Sequence, residues 1–189
     1  MRREIVDAAW AIAGEHGLAA VTLREVASRV GMQSPSLYTH FASKNAIFDA
    51  MFAQAWTGFL LVSDGLEPFV VRSPRKALLE VAQIFVDYCV ADLARFQLMN
   101  QRMVADFEPT PDAYAPSLRV MARLRERLTR IGVQADADAD LFLAITGGLI
   151  DAQFANDPGG DRFVRLLPRA LDMYAEEIGL PGPRLRRSR

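Results

Sequence analysis

The sequence has very few of the residues that build disulfide or soft-metal sites. Its 189 residues include one cysteine, Cys89, and two histidines, His16 and His40. A single cysteine excludes an internal disulfide framework and fits a reducing compartment. Because these three residues lie far apart in sequence, they argue against a transition-metal site. Phosphate loops, dinucleotide fingerprints and GxSxG elbows are also missing, so we expect no cofactor, no metal and no catalytic residues.

Long apolar runs and an excess of one charge are missing as well. No apolar run approaches the roughly 20 residues that a bilayer-spanning helix needs. The first residues, MRREIVDAAW, place acidic residues soon after two arginines, which is unlike a signal peptide. The net charge of −1 argues against a protein that coats nucleic acid through bulk positive charge. We therefore expect a soluble cytoplasmic protein with no membrane partner.

Helix patterns recur along the whole chain and strand patterns are nearly absent, which predicts an all-α fold. The firmest boundary is a capping box, Thr22 to Glu25, flanked by Val21 and Val26 in the positions of a hydrophobic staple. Gly31, in the left-handed conformation, is expected to end that helix. The first helix is predicted to end at Gly17, and later helices to start near Ser34-Pro35, Ser43, Ser73-Pro74, Thr110 to Pro116, Asp136 and Asp161.

Three short helices precede a long fourth one, so we predict two domains. Residues 1–45 would form a small unit of three helices, and residues 46–180 a larger helical domain. The last residues, 181–189, make a basic tail that we expect to be disordered.

Two helices joined by a tight glycine turn are a helix-turn-helix, whose second helix can enter the major groove of DNA. Here that second helix concentrates hydroxyls and one imidazole, groups that can bind phosphates or base edges. Leu37 and Phe41, spaced i and i+4, are predicted to face inward and anchor it. Polar residues on a short helix are usually only a solvated face. The spacing alone therefore leaves DNA binding and an unrelated all-α protein equally open.

Residues 22–46 closely resemble the DNA-binding signature of TetR-type transcriptional regulators. The resemblance is carried by a Thr-capped helix, the Ala27 to Gly31 turn, and the runs Leu37-Tyr38-Thr39-His40-Phe41 and Ser43-Lys44. A segment similar to ANDPGGDRF, residues 155–163, indicates an AcrR-like branch of this family. The remainder agrees in length and helix count with the family's ligand-binding and dimerisation domain. The resemblance thus makes residues 1–45 the DNA-binding domain and residues 46–180 the effector-binding and dimerisation domain.

The resemblance implies a role for each matching position of the helix-turn-helix. Thr22 and Lys44 would hold phosphates, and Tyr38 and His40 the DNA backbone. The positions nearest the bases would be Gln33, Ser34, Ser36 and Thr39.

Two positions depart from the family pattern. The recognition helix is usually capped by a serine, and this chain has Gln33 followed by Ser34-Pro35, so either Gln33 or Ser34 could be the cap. The first helix usually carries a Phe where this chain has Ala13, and we expect Trp10 to fill that space. Neither departure changes the expectation of DNA binding.

Large, soft side chains recur through the middle of the chain. Taken one by one they are most simply plain core, but together they suit an adaptable pocket, and the resemblance implies a small apolar or amphipathic effector. The candidate ligand-binding residues are Phe85, Tyr88, Cys89, Phe96, Met99, Met103, Phe107, Tyr114 and Met121. Gly147 and Gly148, inside an apolar helix, suggest close helix packing or room for a ligand.

The last two predicted helices, residues 136–156 and 161–178, match the position of the family's dimer-forming pair. Some of their apolar residues must also pack within their own subunit, and the sequence does not divide the two groups. The candidate interface residues are Leu141, Ile145, Leu149, Phe154, Phe163, Leu167, Leu171 and Tyr174.

The expected protein is a homodimeric, one-component transcriptional regulator, most often a repressor in this family, that a small effector releases from a double-stranded DNA operator. Two alternatives stay open: a helical carrier or sensor of hydrophobic ligands without DNA binding, and a helical enzyme with a nonstandard site. Asp136, Asp138 and Asp140 open like a calcium loop, but Leu141 stands where the loop glycine should be. These acids are better explained as favourable charge at a helix N-terminus.

Overall fold

The computed structural model describes residues 1–67 and 69–185, and within these ranges the chain is all-α, as predicted. The helices are α1 Arg2–His16, α2 Leu23–Arg29, α3 Ser34–Leu37, α4 Lys44–Ser63, α5 Pro74–Val90, α6 Leu93–Asn100, α7 Pro111–Ile131, α8 Asp136–Asn156 and α9 Leu167–Glu177. Short 3₁₀ segments follow α1 (Leu18–Ala20), follow α4 (Asp64–Leu66) and precede α9 (Val164–Leu166).

Most of the predicted helix boundaries are confirmed, and two of the predicted starts have a side-chain cap. Thr22 Oγ1 accepts the backbone N–H of Glu25 at 3.1 Å, and Ser43 Oγ accepts that of Ala46 at 3.1 Å. The first helix ends directly before Gly17, and α5, α7 and α8 begin at predicted starts. Local sequence signals therefore set most helix ends in this chain.

The last helix begins later than predicted. It starts at Leu167 rather than at Asp161. The backbone between them is held differently, because Gln153 Oε1 accepts the N–H groups of Phe163 and Val164 at 2.8 and 3.3 Å. Turns and the short 3₁₀ segment Val164–Leu166 occupy this stretch, and the regular helix follows from Leu167.

The chain packs as two compact units, each made of two separate stretches. The first unit comprises Met1–Leu60 and Asp92–Arg119, and the second comprises Leu61–Ala91 and the chain from Val120 onward. These units do not coincide with the predicted domains 1–45 and 46–180. That division stays a prediction about the DNA-binding and effector-binding parts.

In the first unit, one apolar face of α1 packs against the helix-turn-helix. Its side chains without exposed surface are Ile5, Ala9 and Ile12. The predicted anchors Leu37 and Phe41 are 0% and 2% exposed, which confirms their inward placement. Trp10 is half-buried, and its indole N–H donates to Gln54 Oε1 at 2.7 Å.

In the second unit, α5, α8 and α9 pack on one another, and a buried arginine of α5 joins them to the end of the chain. Arg75 Nε donates to the carbonyl of Leu180, and one terminal nitrogen pairs with Asp172 at 3.2 Å. The N–H of Leu185 also donates to the Asp172 carboxylate, at 2.9 Å. The tail contacts α5 and α9 up to Leu185, its predicted disorder stays a prediction, and residues 186–189 lie outside the described ranges.

The long helix α4 corrects the expectation about apolar runs. By length and composition alone, Lys44–Leu66, with a mean hydropathy of 1.3, is long and apolar enough to cross a membrane. Within that segment 44% of the most apolar window is buried inside the protein, and Ile47, Phe48 and Met51 have no exposed surface. A core helix meets the same criteria, so α4 alone is weak support for a membrane span.

Candidate DNA-binding site

The turn between α2 and α3 is closed by a Schellman motif. Gly31 has φ of 69°, and its N–H donates to the carbonyl of Ser28 at 3.2 Å. The N–H of Met32 donates to the carbonyl of Ala27 at 2.9 Å. These are the two bonds that satisfy the last carbonyls of a helix when the residue after the cap is left-handed. The predicted glycine turn is confirmed, and it fixes the direction in which the chain enters α3.

The cap of the recognition helix is Gln33. Gln33 has extended backbone (φ −74°, ψ 139°), α3 begins at Ser34, and Pro35 lies in its first turn. The side chain of Gln33 makes no capping hydrogen bond. Its amide is therefore available for an external partner, and the question that the sequence left open is answered in favour of Gln33.

The recognition helix is very short and is held by its buried anchors rather than by its own length. After Leu37 the chain continues in turns through His40, where N–H groups donate to carbonyls of Ser36 and Leu37. Tyr38 is 56% exposed, and Ser36 and Thr39 are also exposed. The hydroxyl of Thr39 donates to the carbonyl of Ser36 at 2.7 Å. It therefore offers its oxygen lone pair and methyl group, not its proton, to an outside partner.

The predicted phosphate contacts lie at two helix starts. Thr22 is exposed, and because its oxygen accepts the Glu25 amide, its hydroxyl proton can still be donated. Lys44 is the first residue of α4, half-buried, with Nζ 5.7 Å from the ring centroid of Phe48. This distance allows a cation–π contact that keeps the ammonium close to α4. Ser34 and His40 are half-buried.

Residues that the sequence analysis missed hold this site in place. The guanidinium of Arg2 donates to the carbonyl of His40 and lies 4.1 Å from the Phe41 ring centroid. Arg29 forms a two-bond ion pair with Glu15, one of its bonds being 2.8 Å long. That hydrogen bond lowers the pKa of Glu15 and raises the pKa of Arg29. No local signal identifies these partners, because they are 38 and 14 residues apart.

The candidate effector residues are divided between the two units. Phe96, Met99, Met103, Phe107 and Tyr114 belong to the first unit, and Phe85, Tyr88, Cys89 and Met121 to the second. Cys89, Phe96 and Met99 are buried, Phe85, Tyr88 and Phe107 are half-buried, and Met103, Tyr114 and Met121 are exposed. An effector pocket built from these residues stays a prediction.

Burial divides the candidate interface residues into two groups. Leu167 and Leu171 have no exposed surface within the single chain, and Tyr174 is 2% exposed. These three residues therefore belong to the core of their own unit, and a place for them in a dimer interface stays a prediction. Leu141 is 43% exposed, and the remaining half-buried candidates are Ile145, Leu149, Phe154 and Phe163.

Gly147 and Gly148 do not mark close packing within the chain. A Cβ atom built on either glycine would meet nothing within 4 Å. The described part of the chain therefore leaves space beside this stretch of α8, and close packing against another chain or room for a ligand stays a prediction.

The helix-turn-helix is similar to a known family of regulatory domains. The family model described as "Bacterial regulatory proteins, tetR family" matches residues 5–51. The HTH-type transcriptional repressor KstR2 of Rhodococcus jostii is 31% identical over 114 residues, which cover 56% of this chain and 52% of that repressor. The class D tetracycline repressor protein of Escherichia coli is 36% identical over 50 residues, covering 26% of this chain and 23% of its own.

Among solved structures, the likeness extends over nearly the whole chain. The transcriptional regulator FadR from Bacillus subtilis, solved in complex with stearoyl-CoA, has a TM-score of 0.67 at 14% identity. The match covers 92% of this chain and 97% of the FadR chain. At this identity the likeness concerns the fold. In sequence, the chain spans about half the length of KstR2 and about a quarter of the tetracycline repressor.

Proposed function

We propose that the chain is a TetR-type, one-component transcriptional repressor that binds operator DNA, because its residues 5–51 match the model of bacterial regulatory proteins of the tetR family. One observation carries the proposal. The Schellman turn at Gly31 and the buried anchors Leu37 and Phe41 fix a helix tip that is otherwise polar and exposed. A helix of four residues buries too little to be there for packing alone.

Each group at this tip suits one part of a DNA duplex. The hydroxyl of Thr22 and the ammonium of Lys44 bind phosphates, and Tyr38 and His40 bind the sugar-phosphate wall. The free amide of Gln33 can bind adenine through paired donor and acceptor groups. Ser34, Ser36 and Thr39 are the other base-reading candidates, Thr39 offering its methyl group to thymine.

Operator binding requires two copies of this unit. Residues 1–50 carry five basic and five acidic side chains, so bulk charge supplies no attraction to DNA. One unit makes few phosphate contacts, and linking two raises the affinity through effective concentration. We infer a homodimer that reads half-sites roughly 34–36 Å apart. The exposed and half-buried apolar residues of α8 are the candidate seam, in an isologous contact that uses each residue twice.

The regulatory signal is a small apolar or amphipathic effector. Support comes from the aromatic and methionine side chains of the middle helices and from the FadR structure, which was solved with stearoyl-CoA. An effector that binds more tightly to a conformation with separated recognition helices shifts the population away from the DNA-bound state. The protein is not an enzyme and acts in the cytoplasm.

The direct test is footprinting on DNA that flanks the protein's own gene. We expect a protected, approximately palindromic site, and no protection anywhere would support a ligand carrier without DNA binding.

At a protected site, Lys44→Ala should lower the salt slope of binding by about one for each phosphate that a subunit no longer neutralises. The chain has one other lysine, Lys76, which is exposed on α5. Lys76→Ala is the matched control and should leave the slope unchanged.

A further inference from the structure

The first two turns of α4 are held by the connection between α6 and α7, residues 101–110. Asn45 Nδ2 donates to the carbonyl of Asp106 at 2.9 Å. One turn further, Asp49 Oδ1 accepts the N–H of Thr110 at 2.9 Å. Two polar side chains on one side of α4 thus fix both the middle and the end of a segment about 60 residues away in sequence.

An aromatic contact joins the same connection to Lys44. The ring centroids of Phe107 and Phe48 are 5.5 Å apart. The ammonium of Lys44 lies 5.7 Å from the centroid of that Phe48 ring. Phe48 has no exposed surface, so its ring cannot shift without disturbing Phe107 or the core. The position of the Lys44 side chain therefore depends on a residue that lies far from the helix-turn-helix in sequence.

The backbone of the connection is unusual at the point of contact. Asp106 has φ of 58°, and among the described residues it is the only one other than glycine with a positive φ. Such a conformation is disfavoured for an L-residue and persists where surrounding contacts determine it. The hydrogen bond from Asn45 to its carbonyl is one of these contacts.

We propose that Asn45, Asp106 and Phe107 are positioning residues for operator binding, which hold the Phe48 ring and, through it, the phosphate-binding ammonium of Lys44. They do not touch DNA themselves. This inference rests on the proposed function, since it assumes that Lys44 meets a phosphate. Holding a long, flexible side chain in its bound position before the encounter removes part of the ordering cost of binding.

Operator affinity gives the first test. In Phe107→Leu and in Asn45→Ala, the Kd of the dimer for its operator should rise about 10- to 100-fold, because two copies of Lys44 lose their support. The salt slope should fall toward that of Lys44→Ala. Asn100→Ala is the matched control, because Asn100 donates only to the carbonyl of Phe96 in its own helix. It should bind as the wild type does.

A double-mutant cycle separates positioning from a general structural effect. If Phe107 acts through Lys44, Phe107→Leu should weaken binding little further in the Lys44→Ala background. Additive effects of the two substitutions on binding, with the thermal transition preserved, would overturn the proposal. A wild-type protein that binds no operator would instead refute the proposed function, and the two failures are therefore distinguishable.

A second measurement needs no DNA. Reductive ¹³C-methylation labels the chain's two lysines, and Lys44→Arg assigns the signal of Lys44. The Phe48 ring should move the Lys44 methyl signal away from that of exposed Lys76. Phe107→Leu should bring the Lys44 signal toward the Lys76 position, and Asn100→Ala should not. An unchanged Lys44 signal in Phe107→Leu would show that Phe107 does not position Lys44, whatever happens to operator binding.

Discussion

Replacing Gly31 by alanine tests the turn of the helix-turn-helix. At φ of 69° the Cβ of an L-residue approaches the following carbonyl, which costs about 1–2 kcal/mol. A Cβ built on Gly31 meets no atom of the rest of the protein within 4 Å. The penalty is therefore conformational alone, and Gly31→Ala should lower the free energy of unfolding by about 1–2 kcal/mol.

Gly14 provides a matched control in the same unit. It lies within α1, and a Cβ built there also meets nothing within 4 Å. In a helix, alanine is favoured over glycine by about 0.5–1 kcal/mol, so Gly14→Ala should stabilise the protein. The same added methyl group should therefore lower the free energy of unfolding at Gly31 and raise it at Gly14. Gly31→Asn should lie between the wild type and Gly31→Ala, because asparagine tolerates the left-handed region better.

The assay is chemical denaturation followed by circular dichroism at a single protein concentration, because the stability of any oligomer depends on concentration. For a chain of this size, 1 kcal/mol corresponds to roughly 2–4 °C in Tm, so thermal scans should rank the variants identically. A Gly31→Ala protein as stable as the wild type would refute the reasoning. Equal destabilisation of Gly31→Ala and Gly14→Ala would also refute it, since the cost would then come from the added methyl group itself.

Four further predictions concern the second unit. Burial raises the pKa of Tyr174 to about 12 from an ordinary 10.0, so the stability that its neutral form contributes is complete below pH 10 and is lost toward pH 12. Tyr174→Phe should remove this late step from the tyrosine absorbance titration. The hydrogen bond from Arg127 lowers the pKa of Glu67 below 4.5, so this pair stabilises the protein above that pH and less as the pH falls. In acid denaturation, the free energy of unfolding of Arg127→Met should fall less steeply with decreasing pH than that of the wild type, because the variant lacks this ion pair. Leu171→Ala should cost about 2–5 kcal/mol in unfolding, as expected for a core leucine. Leu141→Ala should cost about 0.5 kcal/mol or less, and sedimentation should show a weaker dimer; an unchanged dimer would remove Leu141 from the interface.

Helix ends that depend on a local cap were predictable from the sequence. Thr22, Ser43 and Gly31 each act on backbone groups within four residues, so their roles can be read from the chain order alone. The start of α6 was missed, although Asp92 caps it by accepting the N–H of Arg95 at 2.9 Å. The apolar residues on both sides of Asp92 continue the helical pattern, and they conceal the break between α5 and α6.

Contacts between distant residues were not predictable from the sequence. The side chain of Gln153 binds the backbone N–H groups of Phe163 and Val164, ten and eleven residues away, and α9 begins six residues later than predicted. The burial of Leu167 and Leu171 likewise depends on how α5, α8 and α9 pack, whereas hydrophobicity and spacing are the same for a core residue and an interface residue. The sequence could therefore predict candidate DNA-binding residues but not the arginine and asparagine side chains that contact the helix-turn-helix and the start of α4.

The first unit is assembled from Met1–Leu60 and Asp92–Arg119, two stretches that are separated by 31 residues belonging to the other unit. A gene fragment that ends after α4 would therefore leave Phe48 and Phe52 without the aromatic partners that Phe107 and Tyr114 supply. If the proposed function holds, exchanging operator specificity with a related regulator would require the transfer of both stretches together. A single crossover after the helix-turn-helix would combine the helix-turn-helix of one protein with the second stretch of another, and these two stretches did not evolve together.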